Sequence, residues 1–193
     1  MPNKQPMQKF VINLLRNNLP EKYNYHNPEH TLYVQEKVFE IGWHEQCTDK
    51  ELQLLDTAAL WHDTGYIKRY GNHEVQSCLL ALKYLPEYGY DIADIDLICG
   101  MIMATKIPQL PRTKLEEIIA DADLEYLGTE SFESKAESLF LEMHSMNPSL
   151  TQDKWNEMQI SFIRQHHYFT RYCKENKEPL KQIILDKLIQ SRI

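Results

Sequence analysis

The sequence predicts an all-α protein: one domain spanning residues 1–193, folded as a bundle of eight or nine helices. Three observations predict it. Apolar residues recur at three- and four-residue spacing through most of the chain. Capping residues, prolines and glycines punctuate that pattern where helices should start and stop. No run of alternating β-branched residues is long enough to make a strand.

Taken in order, Phe10, Ile12, Leu14 and Leu15 mark a first amphipathic helix that ends before Pro20. Asn27-Pro28-Glu29 starts a second, with Asn as N-cap and Pro in the first turn. Its inward face carries His30, Val34, Val38 and Ile41. Thr48-Asp49-Lys50-Glu51 is a capping box for a third helix running to His62-Asp63. A loop over Thr64–Gly71 leads to a fourth helix from Asn72, with Val75, Cys78, Leu79 and Leu82 expected inward. Pro86 and Gly89 close it. Asp91 to Thr105 forms the fifth helix, with Asp91 and Asp94 as a capping pair. Thr113 caps a sixth that carries Ile118, Ile119, Ala122 and Leu127 and breaks at Gly128. A seventh spans 130–146, a long eighth 151–175, and a ninth begins at Pro179.

Composition bounds the function. The chain is 42% hydrophobic and 25% charged, ordinary for a soluble globular protein. With 21 basic and 28 acidic residues its net charge is -7, which disfavours a nucleic-acid surface but permits a local basic pocket for phosphate. No apolar run reaches the roughly 20 residues of a membrane helix, so no membrane role is expected. The opening Met1-Pro2-Asn3-Lys4-Gln5 does not begin a signal peptide. Cys47, Cys78, Cys99 and Cys173 are scattered without a Cys-x-x-Cys, as expected of reduced thiols in a cytoplasmic protein.

The chemistry-bearing stretch is Leu60-Trp61-His62-Asp63-Thr64-Gly65-Tyr66. A His-Asp pair at the end of an apolar helix needs buried partners. His30 on the second helix and Asp121 or Asp123 on the sixth are the candidates. The acidic pair lies among Ile118, Ile119, Ala120 and Leu124, where solvation is poor. Two imidazoles and two carboxylates suit Mn²⁺, Mg²⁺, Fe²⁺ or Zn²⁺ and do not suit a soft-metal site. Such a set leaves positions for water and substrate, and metal-activated water can attack phosphorus. Asp121 and Asp123 stand about 200° apart on a helix, so both cannot serve one ion.

Four blocks resemble, in order and context, the HD superfamily of metal-dependent phosphohydrolases. They are Tyr25-His26-Asn27-Pro28-Glu29-His30-Thr31, Trp61-His62-Asp63-Thr64-Gly65-Tyr66, Asn72-His73-Glu74 and Asp121-Ala122-Asp123-Leu124-Glu125-Tyr126-Leu127-Gly128. The resemblance covers residues 22–130 well and runs more weakly to about residue 172. It implies an all-helical HD domain with a metal-site core at 22–130 and the C-terminal helices packed on it. It also implies that His30, His62, Asp63 and Asp123 bind a divalent metal, Mn or Mg being favoured for activity over Fe, Co, Ni or Zn. Asp123 is preferred to Asp121 because it sits between a small residue and a leucine, as the family's last ligand does. Asp121 would then orient a ligand or cap a neighbouring element. Asp63 would bridge to any second ion, for which His73 is a candidate ligand. Met101, Met103 and Thr105 stand where some members have further histidines.

The context of His26 resembles that of cyclic-nucleotide phosphodiesterases, which implies a proton donor to the leaving oxygen. Glu74 would position water. Lys68 and Arg69 follow the His-Asp turn, and Thr105, Lys106 and Arg112 sit around a Pro-rich loop, all able to hold phosphate. His167, near Arg164, is a further pocket candidate. The expected activity is hydrolysis of a phosphate ester, of a nucleotide or another small phosphorylated metabolite. The competing class is a non-enzymatic, metal-stabilised module that senses a nucleotide or another ligand. A homo-oligomer is compatible with either.

Overall fold

A computed structural model describes residues 4–190. Ten α-helices are present among them, one more than the upper expectation: α1 Lys4–Asn18, α2 Pro28–His44, α3 Asp49–Trp61, α4 His73–Tyr84, α5 Ile92–Ala104, α6 Lys114–Asp123, α7 Phe132–Met146, α8 Gln152–Gln165, α9 Arg171–Asn176 and α10 Glu178–Gln190. Three short 3₁₀ turns, Thr64–Ile67, Leu85–Tyr88 and Glu125–Gly128, follow α3, α4 and α6. The described residues contain no strand. None of the described helices is long and apolar enough to cross a membrane.

The capping signals act as read. Asn27 accepts the His30 N–H and Pro28 occupies the first turn of α2. Thr48 and Glu51 form the reciprocal box at α3. Thr113 caps α6 by accepting from Glu116 N. At α5 only half of the expected pair forms, Asp91 accepting from Asp94 N.

Two cores follow. The first is built from α1–α6, with Val11, Val38, Leu55, Trp61, Ile98, Ile102 and Ile118 completely buried. The second joins Tyr25, Leu127, Phe132, Ile160, Ile163 and Leu185 from the segment before α2, the Glu125–Gly128 turn, α7, α8 and α10. Burial of such side chains stabilises by roughly 1.5–3 kcal/mol each. The ends of α2, α3 and α6 that carry polar residues lie where the two cores meet.

Two expectations about local structure are corrected. On α4, Val75, Leu79 and Leu82 are exposed, and the inward face presents Glu74, Ser77 and Ala81. The reason is the neighbour. The Thr64–Ile67 turn packs so closely on α4 that a Cβ on Gly65 would lie 1.9 Å from His73 O. Ser77 Oγ accepts the Gly65 N–H at 2.8 Å and donates to His62 O at 2.5 Å. A small hydroxyl residue, not a leucine, fits that seam.

The expected long helix over 151–175 is broken. α8 stops at Gln165, His166 is extended (φ -71, ψ 136), and α9 restarts after Thr170. Asp121 causes the break. Its fully buried carboxylate accepts Phe169 N–H at 2.9 Å, Thr170 N–H at 2.8 Å and the Thr170 hydroxyl at 2.6 Å. Thr170 Oγ1 in turn accepts Cys173 N–H as the cap of α9. Burial pushes the Asp121 carboxyl up to about 6, against these bonds. Asp121→Ala leaves buried donors unsatisfied and is expected to lower stability by roughly 3 kcal/mol or more. Urea denaturation checks this; a loss below about 1 kcal/mol contradicts the anchoring role. Asp121→Asn, which keeps an acceptor, costs less.

Candidate metal centre and cavity

The cap geometry of α2 sets His30 in its first turn, buried, with its ring 4.7 Å from that of Tyr25. His62 ends α3, completely buried, and its Nδ1–H donates to Ala59 O at 2.7 Å. That bond leaves the Nε2 lone pair aimed away from the helix, as a ligand histidine requires. Asp123 closes α6. The ligand atoms of His30, His62 and Asp123 lie within 4.8 Å of one another. Asp123 Oδ1 is 3.0 Å from His30 Nε2 and 3.6 Å from His62 Nε2. Asp63 stands beside this trio, its Oδ2 3.5 Å from His30 Nε2 and 3.2 Å from His62 Nε2.

His30 Nε2 and Asp123 Oδ1 hydrogen-bond at 3.0 Å, but the other ligand atoms find no such partner. Among the described residues, His62 Nε2 and Asp63 Oδ2 are buried without a hydrogen-bond partner: they meet at ion-pair distance but not in hydrogen-bond geometry. An unsatisfied buried polar atom costs about 1–3 kcal/mol. Two such atoms beside the His30–Asp123 pair fit a divalent ion with nitrogen and oxygen ligands at about 2.0–2.2 Å. Burial would push the Asp63 carboxyl up, but His62 and His73 hold it well below the usual range. Burial would lower His62, yet Asp63 and Asp123 raise it well above the ordinary imidazole value. For His30, burial prevails and the value falls. Two carboxylates thus crowd this buried corner beside the imidazoles, a negative charge that a bound cation would offset.

The centre forms one end of a cavity of about 530 Å³. His26, Asp63, His73, Glu74, Thr105, Lys106 and Asp123 line that end. His73 Nε2 is 3.5 Å from Asp63 Oδ1 and 3.7 Å from Glu74 Oε1, and Glu74 Oε2 is buried without a partner among the described residues. Burial opposes the charge on His73, and Asp63 outweighs it and raises the value. Thr105 donates its hydroxyl to Ile102 O, and Lys106 Nζ donates to Asn72 Oδ1.

The other expected phosphate groups lie elsewhere. Lys68 lines a separate cavity with Leu14, Asn18 and Lys83. Arg69 and Arg112 are exposed and do not line the cavity at the centre. Gly65 O takes the N–H groups of both Lys68 and Arg69, winding this segment beside α4. Exposed Arg112 gives its N–H to Glu116. His167 lies in the break after α8, exposed, with its ring on Phe169.

Two residues without a predicted role belong to the site. Glu142 of α7 is completely buried. Its Oε2 accepts the N–H groups of Tyr25 and His26, and its Oε1 meets His26 Nδ1 at 2.5 Å. Burial would raise this carboxyl, but His26 more than offsets it. His26 Nε2 is 2.9 Å from the Tyr66 hydroxyl, and both residues line the cavity. Glu142 has a signal in the sequence: it falls three residues after Leu139 on the inward stripe of α7, a lone acid between Leu141 and Met143.

No protein-family model matches the sequence, and no curated protein is similar to it. Solved structures do match. The crystal structure of a predicted HD superfamily hydrolase from an uncultured Thermotogales bacterium aligns over 94% of this chain and 89% of its own, with a TM-score of 0.62 and 19% identity. A Lactobacillus plantarum protein aligns over 98% of this chain and 97% of its own, with a TM-score of 0.68 and 12% identity. Helices alone build the described chain, and it shares its all-α fold with that predicted HD superfamily hydrolase.

Proposed function

We propose that the protein is a metal-dependent phosphohydrolase acting on the phosphate ester of a small metabolite. One observation carries the reading: the ligand atoms of His30, His62 and Asp123 converge beside Asp63 at one end of a cavity large enough for a small molecule, and His62 Nε2 and Asp63 Oδ2 are buried there without a hydrogen-bond partner among the described residues. His30, His62, Asp63 and Asp123 hold the ion. When bound, a divalent cation supplies Lewis-acid polarisation of the phosphoryl group and activation of water.

The chain's own residues do the rest. Three carboxylates, Asp63, Glu74 and Asp123, line this end of the cavity against a single ammonium, Lys106. Without added positive charge that lining repels a phosphate, which is why the reading requires the metal. Lys106 offers the phosphate an ammonium, and Thr105, whose hydroxyl proton goes to Ile102 O, shapes the wall beside it. Glu74 Oε2 accepts a hydrogen bond from the attacking water. His26 gives the proton at Nε2 to the leaving oxygen. Glu142 holds His26 at Nδ1 and so leaves Nε2 to face the substrate, and the Tyr66 hydroxyl, 2.9 Å from Nε2, keeps that nitrogen in place until the leaving oxygen takes its position.

Phosphate release from a panel of phosphate monoesters and diesters, with Mn²⁺, Mg²⁺, Co²⁺ or Ni²⁺, tests the reading. Turnover with one of these metals, lost to a chelator and restored by that metal, is the expected result. Full activity in chelator contradicts it.

A further inference from the structure

The cavity does not end at the metal centre. Past Tyr25 and Tyr126 it continues between α7 and α8. The wall there is made by Leu127, Phe132, Leu139, Met143, Trp155 and Phe162, and Gln159 is the one polar side chain that α7 and α8 contribute. Phe132, Leu139 and Met143 lie along one stripe of α7, and Trp155 and Phe162 along one stripe of α8. Each stripe turns toward the shared hollow. Leu139, Met143 and Phe162 are only half-buried, so apolar surface stays open along it.

Resting on the phosphohydrolase reading, we infer that the substrate is a phosphate monoester carrying an extended apolar chain, with the chain seated between α7 and α8. Continuity carries the inference: one hollow joins a polar, cation-holding end to an apolar chamber, the shape of an amphiphile with a phosphate head. A nucleoside fits poorly. Its base and sugar bring several donors and acceptors, and Gln159 alone could answer them in the chamber; unanswered buried polar groups are costly. A polyphosphate fits poorly too, because Lys106 is the one ammonium among the lining residues and the wall past the centre is apolar. An alkyl or isoprenoid chain needs only apolar contact.

Calorimetry with n-alkylphosphonates tests this without relying on turnover. In buffer holding Mn²⁺, octylphosphonate is expected to bind at least about 30-fold tighter than butylphosphonate, since each fully buried methylene is worth roughly fourfold. Phe162→Asp flattens this dependence, and so does Met158→Glu at a more exposed lining position that tolerates charge without threatening folding. Octyl and butyl affinities within about threefold of each other, or adenosine 5′-monophosphate binding tighter than octylphosphonate, overturn the inference. A parallel assay of phosphate release from butyl and octyl phosphate separates the two readings. Turnover with no dependence on chain length removes the apolar chamber and leaves the hydrolase. Chain-length-dependent binding with no release under any metal removes the hydrolase and leaves the chamber.

Discussion

His62→Ala and Asp63→Ala each lower kcat/KM for any phosphate ester the protein turns over by roughly a thousandfold or more, about 4 kcal/mol of transition-state stabilisation. The size follows from the position of the two side chains. His62 is completely buried, and its tautomer is held by Ala59 O. No other side chain can move in to replace its Nε2 atom. Asp63 stands within 3.5 Å of His30, His62 and His73 at once, so its loss disturbs every imidazole of the centre. Asp123→Asn shares the defect, whereas Asp121→Asn retains activity, because Asp121 faces Phe169 and Thr170 and not the centre. Steady-state assays of the four variants check this. Asp121→Asn failing while Asp123→Asn works would exchange their roles.

His26→Ala is expected to separate substrates by leaving group. A general acid contributes about 10²–10⁴-fold where the leaving oxygen is strongly basic. Loss on alkyl phosphates should fall in that range, while loss on p-nitrophenyl phosphate, whose leaving group needs no proton, stays within about tenfold. Metal content is unchanged, since His26 is not among the converging ligand atoms. Glu142→Gln shows the same leaving-group signature at smaller size, and it also costs stability because the Tyr25 and His26 N–H groups lose a carboxylate acceptor. Equal losses on both substrates would make His26 a residue of the cavity wall and nothing more.

Much of this architecture is legible in the sequence because helix starts are local events. Asn27-Pro28, Thr48…Glu51 and Thr113 each satisfy orphan N–H groups within their own turn, so their positions read directly. Those starts fix the phase of His30 on its helix. The His62-Asp63 turn and Asp123 needed the likeness of the four blocks as well. What was not legible depends on distant partners. The break after Gln165 is dictated by Asp121, more than forty residues earlier in the chain. The 151–175 stretch carries no proline or glycine to announce it. The inward face of α4 was misread because periodicity assumes an apolar neighbour, and here the neighbour is a turn with a glycine against it. Lys68, Arg69, Arg112 and His167 share a weakness: a loop near a site in sequence has no required direction. For Glu142 the stripe of α7 marks an acid on the inward face, but its partner, the loop before α2, lies more than a hundred residues away and cannot be read locally.

The central claim is that His30, His62, Asp63 and Asp123 hold a divalent metal. Elemental analysis of the purified chain after Mn²⁺ loading and desalting, beside His62→Ala treated identically, tests it most directly. The account predicts at least about one metal per chain in the wild type and a trace in the variant. Equal metal in both, or none in a folded wild type, would contradict it.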